Sequence, residues 1–373
     1  MTKVVISGTG VFTPAESIPN EALVTTFNTY VKEYNRHHSD AIIRGECLPL
    51  QESSADFIVK ASGIKNRYVI DKSGILDPDT MQPLIPERSN EALSVQAEMA
   101  VAAAQQALAN ARKTAADIDM VIVACSNMQR PYPAIAIEVQ QALGIKGFAY
   151  DMNVACASAA FGIQAAKAAI RDGNARAVLM VNPEICSAHL DFRDRDCHFI
   201  FGDACSAVII EDVKTSKVES VFEIIDCQLQ TQFSNNIRNN FGFLNRAAPG
   251  SEHTRDKLFM QQGRQVFKEV IPIVVNLIVN HLAKNQLAVS DIKRLWLHQA
   301  NINMNLLIAN KILGREPTAI EAPTILDQYA NTSSAGSIIA FHHYHQDLNP
   351  GDIGVLSAFG AGYSAGSVIL RKL

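Results

Sequence analysis

The chain has 373 residues with a formal net charge of −4, and 48% of its residues are hydrophobic. This composition predicts a globular protein with one large core or two fused ones, and its charge gives no support for nucleic-acid binding. Seven cysteines without metal-ligand spacing, and an N-terminus without a targeting segment, predict a reduced cytoplasmic protein without a metal. The apolar run VIPIVVNLIV is interrupted by proline and asparagine and is too short for a membrane span.

Strand-like and helix-like segments alternate along the chain. KVVISGTG near the N-terminus and MVIVAC from Met120 are apolar strands. Between them NEALSVQAEMAVAAAQQALANARKT is an alanine-rich helix with its N-cap at Asn90. AIAIEVQQALGI and AFGIQAAKAAIRDG are further helices, and RAVLMVN is a strand. Strict alternation of this kind predicts an α/β layered fold.

The second half of the sequence repeats features of the first. ADIDMVIVAC from Ala116 matches SDIKRLWLHQ from Ser290, and ACASAA at 155–160 matches ANTSSA at 330–335 at nearly the same offset. We therefore expect two related halves, residues 1–212 and residues 213–373. The alternative is a chance similarity between two βα units.

The stretch DMNVACASAAFG places Cys156 at the turn from a strand into a helix. A helix N-terminus lowers the pKa of a thiol because its free N–H groups and its dipole stabilise the thiolate. The small neighbouring residues leave room for a thioester and leave backbone N–H groups free to bind an oxyanion. We therefore expect Cys156 to be a nucleophile, and the alternative is a buried cysteine with a packing role only.

Two halves related by a pseudo-twofold axis bring equivalent residues together near that axis. Cys156 then lies opposite Asn331, and His298 follows the strand whose counterpart ends at Cys125. A neutral imidazole can polarise a carbonyl, and the amide of Asn301 can supply a second donor. The sequence thus predicts one pocket for the thiol, the imidazole and the amide. The alternative for the histidine is a structural role.

Two other motifs are assigned to structure rather than to ligands. GAGYSAG, from Gly360 to Gly366, has no βαβ unit after it, so it fails the test for a dinucleotide-binding loop. A tight turn beside the thiol is expected there instead. The segment DFRDRDCHFIFGD mixes arginines with irregularly spaced aspartates, which favours a charged loop over a metal site.

Taken together, these motifs closely resemble the β-ketoacyl-[acyl-carrier-protein] synthase III enzymes, which have the thiolase fold. The resemblance covers nearly the whole chain, through SGTGVFTP, GIKNR, GIKGFAYDMNVACA, FGDACSAVII, HQAN, NTSSAGS and FGAGYSAGSVIL. It implies an α/β protein of two duplicated βαβαβ-type halves in a five-layered αβαβα core. The set Cys-His-Asn resembles the priming-type synthases, since elongating synthases carry Cys-His-His and thiolases carry Cys-His-Cys.

The resemblance implies a two-step acyl transfer in fatty-acid synthesis, without a cofactor. Cys156 takes an acyl group from a coenzyme A or carrier-protein phosphopantetheine thioester. Malonyl-acyl carrier protein then binds, and His298 and Asn331 hydrogen-bond its thioester carbonyl while carbon dioxide leaves. The resulting carbanion attacks the acylated cysteine and releases a 3-oxoacyl-carrier protein. An acidic carrier protein would bind through a local basic patch.

Supporting residues also follow from the resemblance. The turn of Gly360, Ala361 and Gly362 is expected to hold the oxyanion together with the backbone of the cysteine. Phe359 matches the aromatic residue that lies beside the catalytic thiol in the family. The segment RPYPAIAIEVQQALG corresponds to the interface of a homodimer, where Tyr132 would line the acyl pocket of the partner.

The sequence departs from the compact members of the family in two ways. Phe57 and Ala61 stand where a tryptophan and an arginine clamp the adenine of coenzyme A, and Asn303 stands where many relatives have a basic residue facing the phosphopantetheine arm. Phe57 can still stack on a base, but the arginine is missing. Residues 28–55 and 71–90 are insertions, expected either as an ordered cap near the substrate opening or as surface decoration.

Three other functions remain open at this point. One is a specialised ketosynthase of secondary lipid metabolism, of the dialkylresorcinol or aryl-polyene type, which joins two acyl thioesters. The second is a cysteine hydrolase that uses Cys-His-Asn. The third is a non-catalytic partner subunit, although such subunits usually lose the cysteine that this chain retains.

Overall fold

The computed structural model describes residues 2–251 and 253–373. Within them, nine strands form one mixed sheet, and β2 with β3 and β9 with β10 form separate antiparallel pairs. The strands are β1 Val4–Phe12, β2 Glu16–Pro19, β3 Asn66–Val69, β4 Met120–Ala124, β5 Phe148–Met152, β6 Ala177–Glu184, β7 Ala204–Asp212, β8 Phe222–Thr231, β9 Ile237–Arg238, β10 Met260–Gln261, β11 Ile292–Leu297, β12 Ile353–Gly360 and β13 Ser364–Lys372.

Helices connect most of these strands, and short 3₁₀ turns occur between them. The α-helices are α1 Asn20–His37, α2 Ser39–Ile43, α3 Ala55–Ser62, α4 Val95–Asn110, α5 Ile135–Leu143, α6 Ser158–Arg171, α7 Gly263–Lys284, α8 Ile302–Leu313, α9 Leu326–Tyr329 and α10 Ala335–His343. The parallel pairs β4–β5, β4–β6 and β11–β12 need crossover connections, which these helices supply.

The strand order repeats on the two sides of the sheet. One side runs β1-β7-β6-β4-β5 and the other runs β8-β13-β12-β11, with β1 and β8 adjacent at the centre. Counted outward from the centre, β8, β13, β12 and β11 therefore correspond to β1, β7, β6 and β4. Among the described residues, β5 is the strand that has no counterpart. This repetition has the same form as the repetition read from the sequence.

The helices divide into three layers around the two sides of the sheet. Helices α4 and α5 cover the outer face of the first side, and α7 and α8 cover the outer face of the second. Helices α6 and α10 pack between the two inner faces. The predicted five-layered αβαβα arrangement is confirmed.

Alternation along strand β4 shows how the sequence produces these layers. Val121 and Val123 contact the outer helices, whereas Ile122 and Ala124 belong to the core that contains α6 and α10. Successive side chains of a strand point to opposite faces, so a strand buried on both faces is apolar throughout. MVIVAC reads as a continuous apolar run for this reason.

Helix α4 begins later than the sequence predicted. It starts at Val95, and the Ser94 hydroxyl accepts a hydrogen bond from the Ala97 N–H at 3.1 Å. The Ser94 hydroxyl also donates to the Glu138 carboxylate of α5, so a tertiary contact fixes this cap. The prediction of an N-cap at Asn90 is wrong because the sequence offers two good caps close together and does not reveal that contact.

The two segments read as insertions differ in structure. Residues 28–55 include the second half of α1, all of α2 and the approach to α3. Residues 71–90 form turns without regular structure, organised by the Asp71 carboxylate, which accepts from the Gly74 and Leu84 N–H groups. Helices α1 and α3 share one apolar cluster with the segment around residues 186–201.

Helix α7 extends beyond the apolar run VIPIVVNLIV at both ends. By length and composition alone it could cross a membrane. The helix continues through Pro272 and packs Val274, Leu277 and Ile278 against the outer face of the sheet. A core helix of this kind passes the same test of length and hydropathy.

Candidate active site

A cavity of about 600 Å³ lies at the carboxyl ends of the neighbouring strands β11 and β12. Most of its wall is apolar: Phe57, Phe199, Ile200, Phe201, Ile237, Phe259, Val266, Phe267, Val270, Met304 and Phe359. Of the residues predicted to act at the site, those that line it are Cys156, His298, Asn331, Asn301, Phe57, Phe359 and Gly360. The structure therefore brings the thiol, the imidazole and the amide to one cavity.

Cys156 lies in a 3₁₀ turn, Ala155–Ala157, that connects the end of β5 to helix α6. Ala155 has a left-handed backbone with φ of +47°, and its N–H donates to the Asn153 side chain at 2.9 Å. The Ser158 hydroxyl accepts from the Val154 N–H at 2.9 Å. These side-chain hydrogen bonds hold a tight turn that presents the cysteine at the cavity.

Burial raises the pKa of the Cys156 thiol to about 11. Hydrogen bonds from the Ser333 hydroxyl and from the backbone of Cys156 and Ala361 act in the opposite direction, and the nearby Glu184 adds to the increase. The expectation that the helix terminus would lower this pKa is wrong, because the desolvation of the sulfur outweighs the hydrogen bonds that it accepts. The thiol is therefore protonated at neutral pH.

The glycine turn lies where the sequence predicted it, and its three residues differ in their relation to Cys156. Gly360 lies so close to Cys156 that a Cβ added to it would stand 2.6 Å from the cysteine Cβ, and the backbone of Ala361 hydrogen-bonds the sulfur. Gly362 is outside the cavity lining, and its carbonyl accepts from the Ser234 N–H at 2.6 Å. The backbone donors that face the sulfur thus come from Cys156 and Ala361.

His298 follows strand β11 and is held by the neighbouring strand. Its backbone N–H donates to the Ser357 carbonyl at 2.8 Å. Its ring stands edge-on to the Phe359 ring, with the two ring centroids 5.3 Å apart. Burial lowers the pKa of His298 to about 4, although a hydrogen bond with the Ser333 backbone opposes this shift. The imidazole is therefore neutral at pH 7, as expected for a hydrogen-bond donor to a carbonyl.

Asn331 is fixed by backbone contacts on both sides. Its N–H donates to the Ile200 carbonyl at 3.0 Å, and its own carbonyl accepts from the Gly202 N–H at 3.1 Å. The side-chain oxygen accepts from the Ser333 N–H at 2.8 Å. This bond identifies the oxygen end of the amide and leaves the NH₂ group as its donor end.

Asn301 and Asn303 have structural partners. The Asn301 side-chain oxygen accepts from the N–H groups of Asn303 and Met304 as the N-cap of α8, and its NH₂ group donates to the Ala61 carbonyl at 2.6 Å. Asn303 is exposed outside the cavity lining and donates to the Lys60 carbonyl at 3.3 Å. The second donor that the sequence assigned to Asn301 is thus engaged with α3.

An arginine lies against the Phe57 ring, although no pattern in the sequence predicts it there. The Arg195 guanidinium lies over the Phe57 ring, 4.3 Å from its centroid, and its Nε donates to the Glu52 carbonyl at 2.9 Å. Arg195 belongs to DFRDRDCHFIFGD, which was interpreted only as a charged loop. Arg195 stands between two residues that line the cavity, Asp194 and Asp196. The sequence does not reveal its contact with Phe57, because the two residues are more than a hundred positions apart in the chain.

The aspartates of the same segment pair with an arginine outside it. Asp191 and Asp194 both form ion pairs with Arg255, at 2.8 and 2.7 Å. Among residues 2–251 and 253–373 no cluster of three or more histidine, cysteine or acidic side chains could hold a metal ion. The seven cysteines are free thiols.

Tyr132 lies on the surface and is 82% exposed. It precedes α5, and it does not line the cavity of its own chain. The predicted contact of Tyr132 with the acyl pocket of a partner stays a prediction.

Two parts of the chain match profiles of one family. Residues 150–232 match 3-oxoacyl-[acyl-carrier-protein] synthase III, and residues 282–372 match the C-terminal part of the same enzyme. The chain is 64% identical over 347 residues to the β-ketodecanoyl-[acyl-carrier-protein] synthase of Pseudomonas aeruginosa, covering 93% of this chain and 99% of that one. It is 29% identical over 378 residues to the β-ketoacyl-[acyl-carrier-protein] synthase III of Granulibacter bethesdensis, covering the whole of both.

Solved structures share the fold. The 3-oxoacyl-[acyl-carrier-protein] synthase III of Aquifex aeolicus superimposes with a TM-score of 0.76 at 22% identity and covers 99% of both chains. The priming β-ketosynthase of the R1128 polyketide pathway gives a TM-score of 0.78 at 21% identity, covering 99% of this chain and 96% of that one. The chain belongs to the 3-oxoacyl-[acyl-carrier-protein] synthase III family of condensing acyltransferases, which have the thiolase fold.

Proposed function

We propose that the chain transfers a medium-length acyl group to Cys156 and condenses it with malonyl-acyl carrier protein. The observation that carries this proposal is the meeting of Cys156, His298 and Asn331 at one apolar cavity. A thiol, a neutral imidazole and an amide are the groups that a decarboxylative condensation needs: a nucleophile and two donors for a thioester oxygen.

In the first step the Cys156 sulfur attacks the carbonyl carbon of the acyl thioester. A bond forms between that carbon and Sγ, the carbon–sulfur bond of the donor breaks, and the cysteine proton leaves with the released thiol. Negative charge on the carbonyl oxygen in the transition state is held by the N–H groups of Cys156 and Ala361. The products are an acylated cysteine and a neutral thiol.

In the second step malonyl-carrier protein loses carbon dioxide. The electron pair of the broken carbon–carbon bond forms an enolate, and His298 and Asn331 donate hydrogen bonds to its oxygen. The carbanion carbon attacks the acyl-cysteine carbonyl, and the Cys156 thiolate leaves and takes up one proton from solvent. His298 is neutral at pH 7, and a neutral imidazole has one ring N–H with which it can donate to the enolate oxygen.

The acyl group is proposed to have eight carbons. The Pseudomonas aeruginosa relative is named for a ketodecanoyl product, which has ten carbons. Malonyl-carrier protein contributes two of them after decarboxylation, so the donor contributes eight. The aromatic and aliphatic wall, which includes Phe199, Phe201, Phe259 and Met304, supports an aliphatic chain rather than acetate.

Coenzyme A is the proposed carrier of the acyl group. The Phe57 ring lines the cavity and the Arg195 guanidinium lies over that ring, and this pair suits an adenine because both groups stack on aromatic bases. The two now stack on each other at 4.3 Å, so a base has to displace Arg195 from the ring before it can bind between them.

The acyl carrier protein is proposed to bind beside the cavity. Lys268 of α7 and Lys311 of α8 border an apolar groove that contains Ile271, Val275 and Leu307. Two lysines around an apolar groove fit an acidic carrier protein by charge and by burial of apolar surface. These two lysines are the proposed basic patch for such a partner.

A homodimer in the cytoplasm is part of the proposal. Strand β5 is at the edge of the sheet with Phe148 43% and Tyr150 38% exposed, and an apolar edge of this kind favours pairing with a second copy. The free cysteines agree with a reducing compartment. Light scattering after size-exclusion chromatography is expected to give the mass of two chains, and the mass of one chain would contradict the dimer.

The experiment that tests the reaction is product analysis with malonyl-carrier protein and acyl-coenzyme A donors of two to twelve carbons. We expect 3-oxodecanoyl-carrier protein from the eight-carbon donor to form fastest, with one carbon dioxide released for each turnover. A product made from two acyl donors without malonyl-carrier protein would favour the specialised ketosynthase instead. Hydrolysis of the donor without condensation would favour a cysteine hydrolase.

A further inference from the structure

Ser333 contacts all three groups of the proposed reaction. Its hydroxyl donates to the Cys156 sulfur at 3.3 Å, and its N–H donates to the Asn331 side-chain oxygen at 2.8 Å. Its backbone also hydrogen-bonds the His298 ring. The residue is only 2% exposed, so the hydroxyl is directed at the sulfur rather than at solvent.

The backbone of Ser333 is held in a conformation that serine rarely adopts. Its φ is +49°, in the left-handed region that glycine occupies at no steric cost. The next residue fixes the loop, because the Ser334 N–H and hydroxyl both donate to the buried Glu184 carboxylate. A strained non-glycine residue that touches a reacting atom is a reason to look for a function in its side chain.

We propose that the Ser333 hydroxyl is a catalytic group that stabilises the Cys156 thiolate as it attacks the acyl thioester. This inference deepens the proposed function and rests on its assignment of Cys156 as the nucleophile. The hydroxyl keeps its own proton and only donates a hydrogen bond. The cysteine proton still leaves with the released thiol, as in the step described above.

The surroundings of the sulfur leave a need for such a donor. Burial opposes the thiolate, the nearby Glu184 carboxylate opposes it further, and the neutral His298 supplies no positive charge. The N–H groups of Cys156 and Ala361 are required by the thioester oxygen once the attack begins. Three donors of the described residues face the sulfur. Of these, the Ser333 hydroxyl is the one that can keep its hydrogen bond to the sulfur during the whole attack.

The test compares the reactivity of Cys156 in Ser333→Gly and in wild type. Glycine removes the hydroxyl, keeps the backbone hydrogen bonds and suits the positive φ, so the fold is retained. We expect alkylation of Cys156 by iodoacetamide at pH 8, followed by peptide mass spectrometry, to slow about three- to tenfold. Ser333→Ala is expected to slow it to a similar extent.

Ser337→Ala is the matched control. Ser337 lies on α10 in the same part of the chain, is buried, and has a hydroxyl without a hydrogen-bond partner in the structure of residues 2–251 and 253–373. Its alkylation rate is expected to equal that of wild type. Equal rates in Ser333→Gly and wild type would overturn the proposal, and so would an equal loss in Ser337→Ala.

The role of the Ser333 hydroxyl and the role of Cys156 as the acyl-carrying nucleophile are tested by different measurements. Iodoacetamide needs no acyl donor, so the alkylation rates report on the sulfur whichever thioester the enzyme uses. Failure of the proposed function appears instead as the absence of an acyl adduct on wild-type Cys156. A thermal midpoint of Ser333→Gly close to wild type, together with slow alkylation, would assign the loss to the hydroxyl rather than to misfolding.

Discussion

Gly360 lies against Cys156 so closely that a side-chain carbon at Gly360 would stand 2.6 Å from the Cys156 Cβ and 3.1 Å from its sulfur. Contacts shorter than 3 Å between such carbons force one of the two groups to move. Both residues belong to rigid elements, the end of β12 and the 3₁₀ turn before α6. The glycine is therefore needed for the position of the nucleophile.

Replacing Gly360 by alanine tests this relationship. Because the methyl group displaces the sulfur, we expect acylation of Cys156 in Gly360→Ala to fall about 100-fold while the protein stays folded. Rapid-quench measurement of the acyl-enzyme gives the rate. Gly242→Ala is the control, since no atom lies within 4 Å of its added carbon, and full activity in Gly360→Ala would contradict the expectation.

Asn331→Ala is expected to separate the two steps of the reaction. The amide is proposed to bind the malonyl thioester oxygen, so condensation should fall about 100- to 1000-fold while acylation of Cys156 continues. The two rates are measured from the acyl-enzyme mass and from the ketoacyl product. The exposed Asn303→Ala serves as the control and should change neither rate appreciably. An equal loss in both steps of Asn331→Ala would contradict a role confined to condensation.

Arg195→Ala is expected to weaken binding of a coenzyme A donor. Loss of the guanidinium that stacks on Phe57 should raise KM for octanoyl-coenzyme A about three- to thirtyfold and leave KM for an octanoyl-carrier protein unchanged. The matched control is Arg193→Ala, whose guanidinium lies 5.6 Å from the Tyr30 ring and not over Phe57. Equal KM values for octanoyl-coenzyme A in Arg195→Ala and wild type would exclude this stacking site.

Buried histidines predict loss of stability in weak acid. Burial lowers the pKa values of His189, His198 and His298 to about 4, below the ordinary value of 6.5. The unfolded chain therefore binds more protons between pH 6.5 and 4, so the free energy of unfolding falls as pH drops through that window. At pH 5 each histidine is expected to account for ~2 kcal/mol of that fall.

His198→Phe isolates one of these contributions. The histidine ring stacks on Phe27 with the centroids 4.4 Å apart, and phenylalanine can keep that stacking without a titrating group. The free energy of unfolding is measured by urea denaturation at pH 7 and at pH 5. Its decrease between the two pH values should be about 2 kcal/mol smaller in His198→Phe than in wild type. An unchanged difference would show that His198 does not contribute.

The sequence predicted the layered fold and the pocket because both follow from repetition. Matching segments around Cys156 and Asn331 indicated two related halves, and strands buried on both faces gave continuous apolar runs. The structure brings Cys156, His298 and Asn331 to the cavity that the repeat predicted. Their roles in the reaction stay predictions until the variants are measured.

Other features depend on contacts that no local pattern reveals. Arg195 reaches Phe57 from a distant segment, and Asn301 is occupied by the Ala61 carbonyl. The thiol pKa was misjudged because a helix terminus is visible in sequence, whereas the extent of burial around Cys156 is not. Ser333 was missed because its left-handed backbone, which aims the hydroxyl at the sulfur, has no signature in the sequence.

The most direct test of the central claim is the intact-protein mass after incubation with octanoyl-coenzyme A, for wild type and Cys156→Ala. An octanoyl adduct on wild type alone, discharged when malonyl-carrier protein is added, is the predicted result. An adduct that persists in Cys156→Ala, or no adduct on wild type with any donor of two to twelve carbons, would contradict the assignment of Cys156 as the acyl-carrying nucleophile.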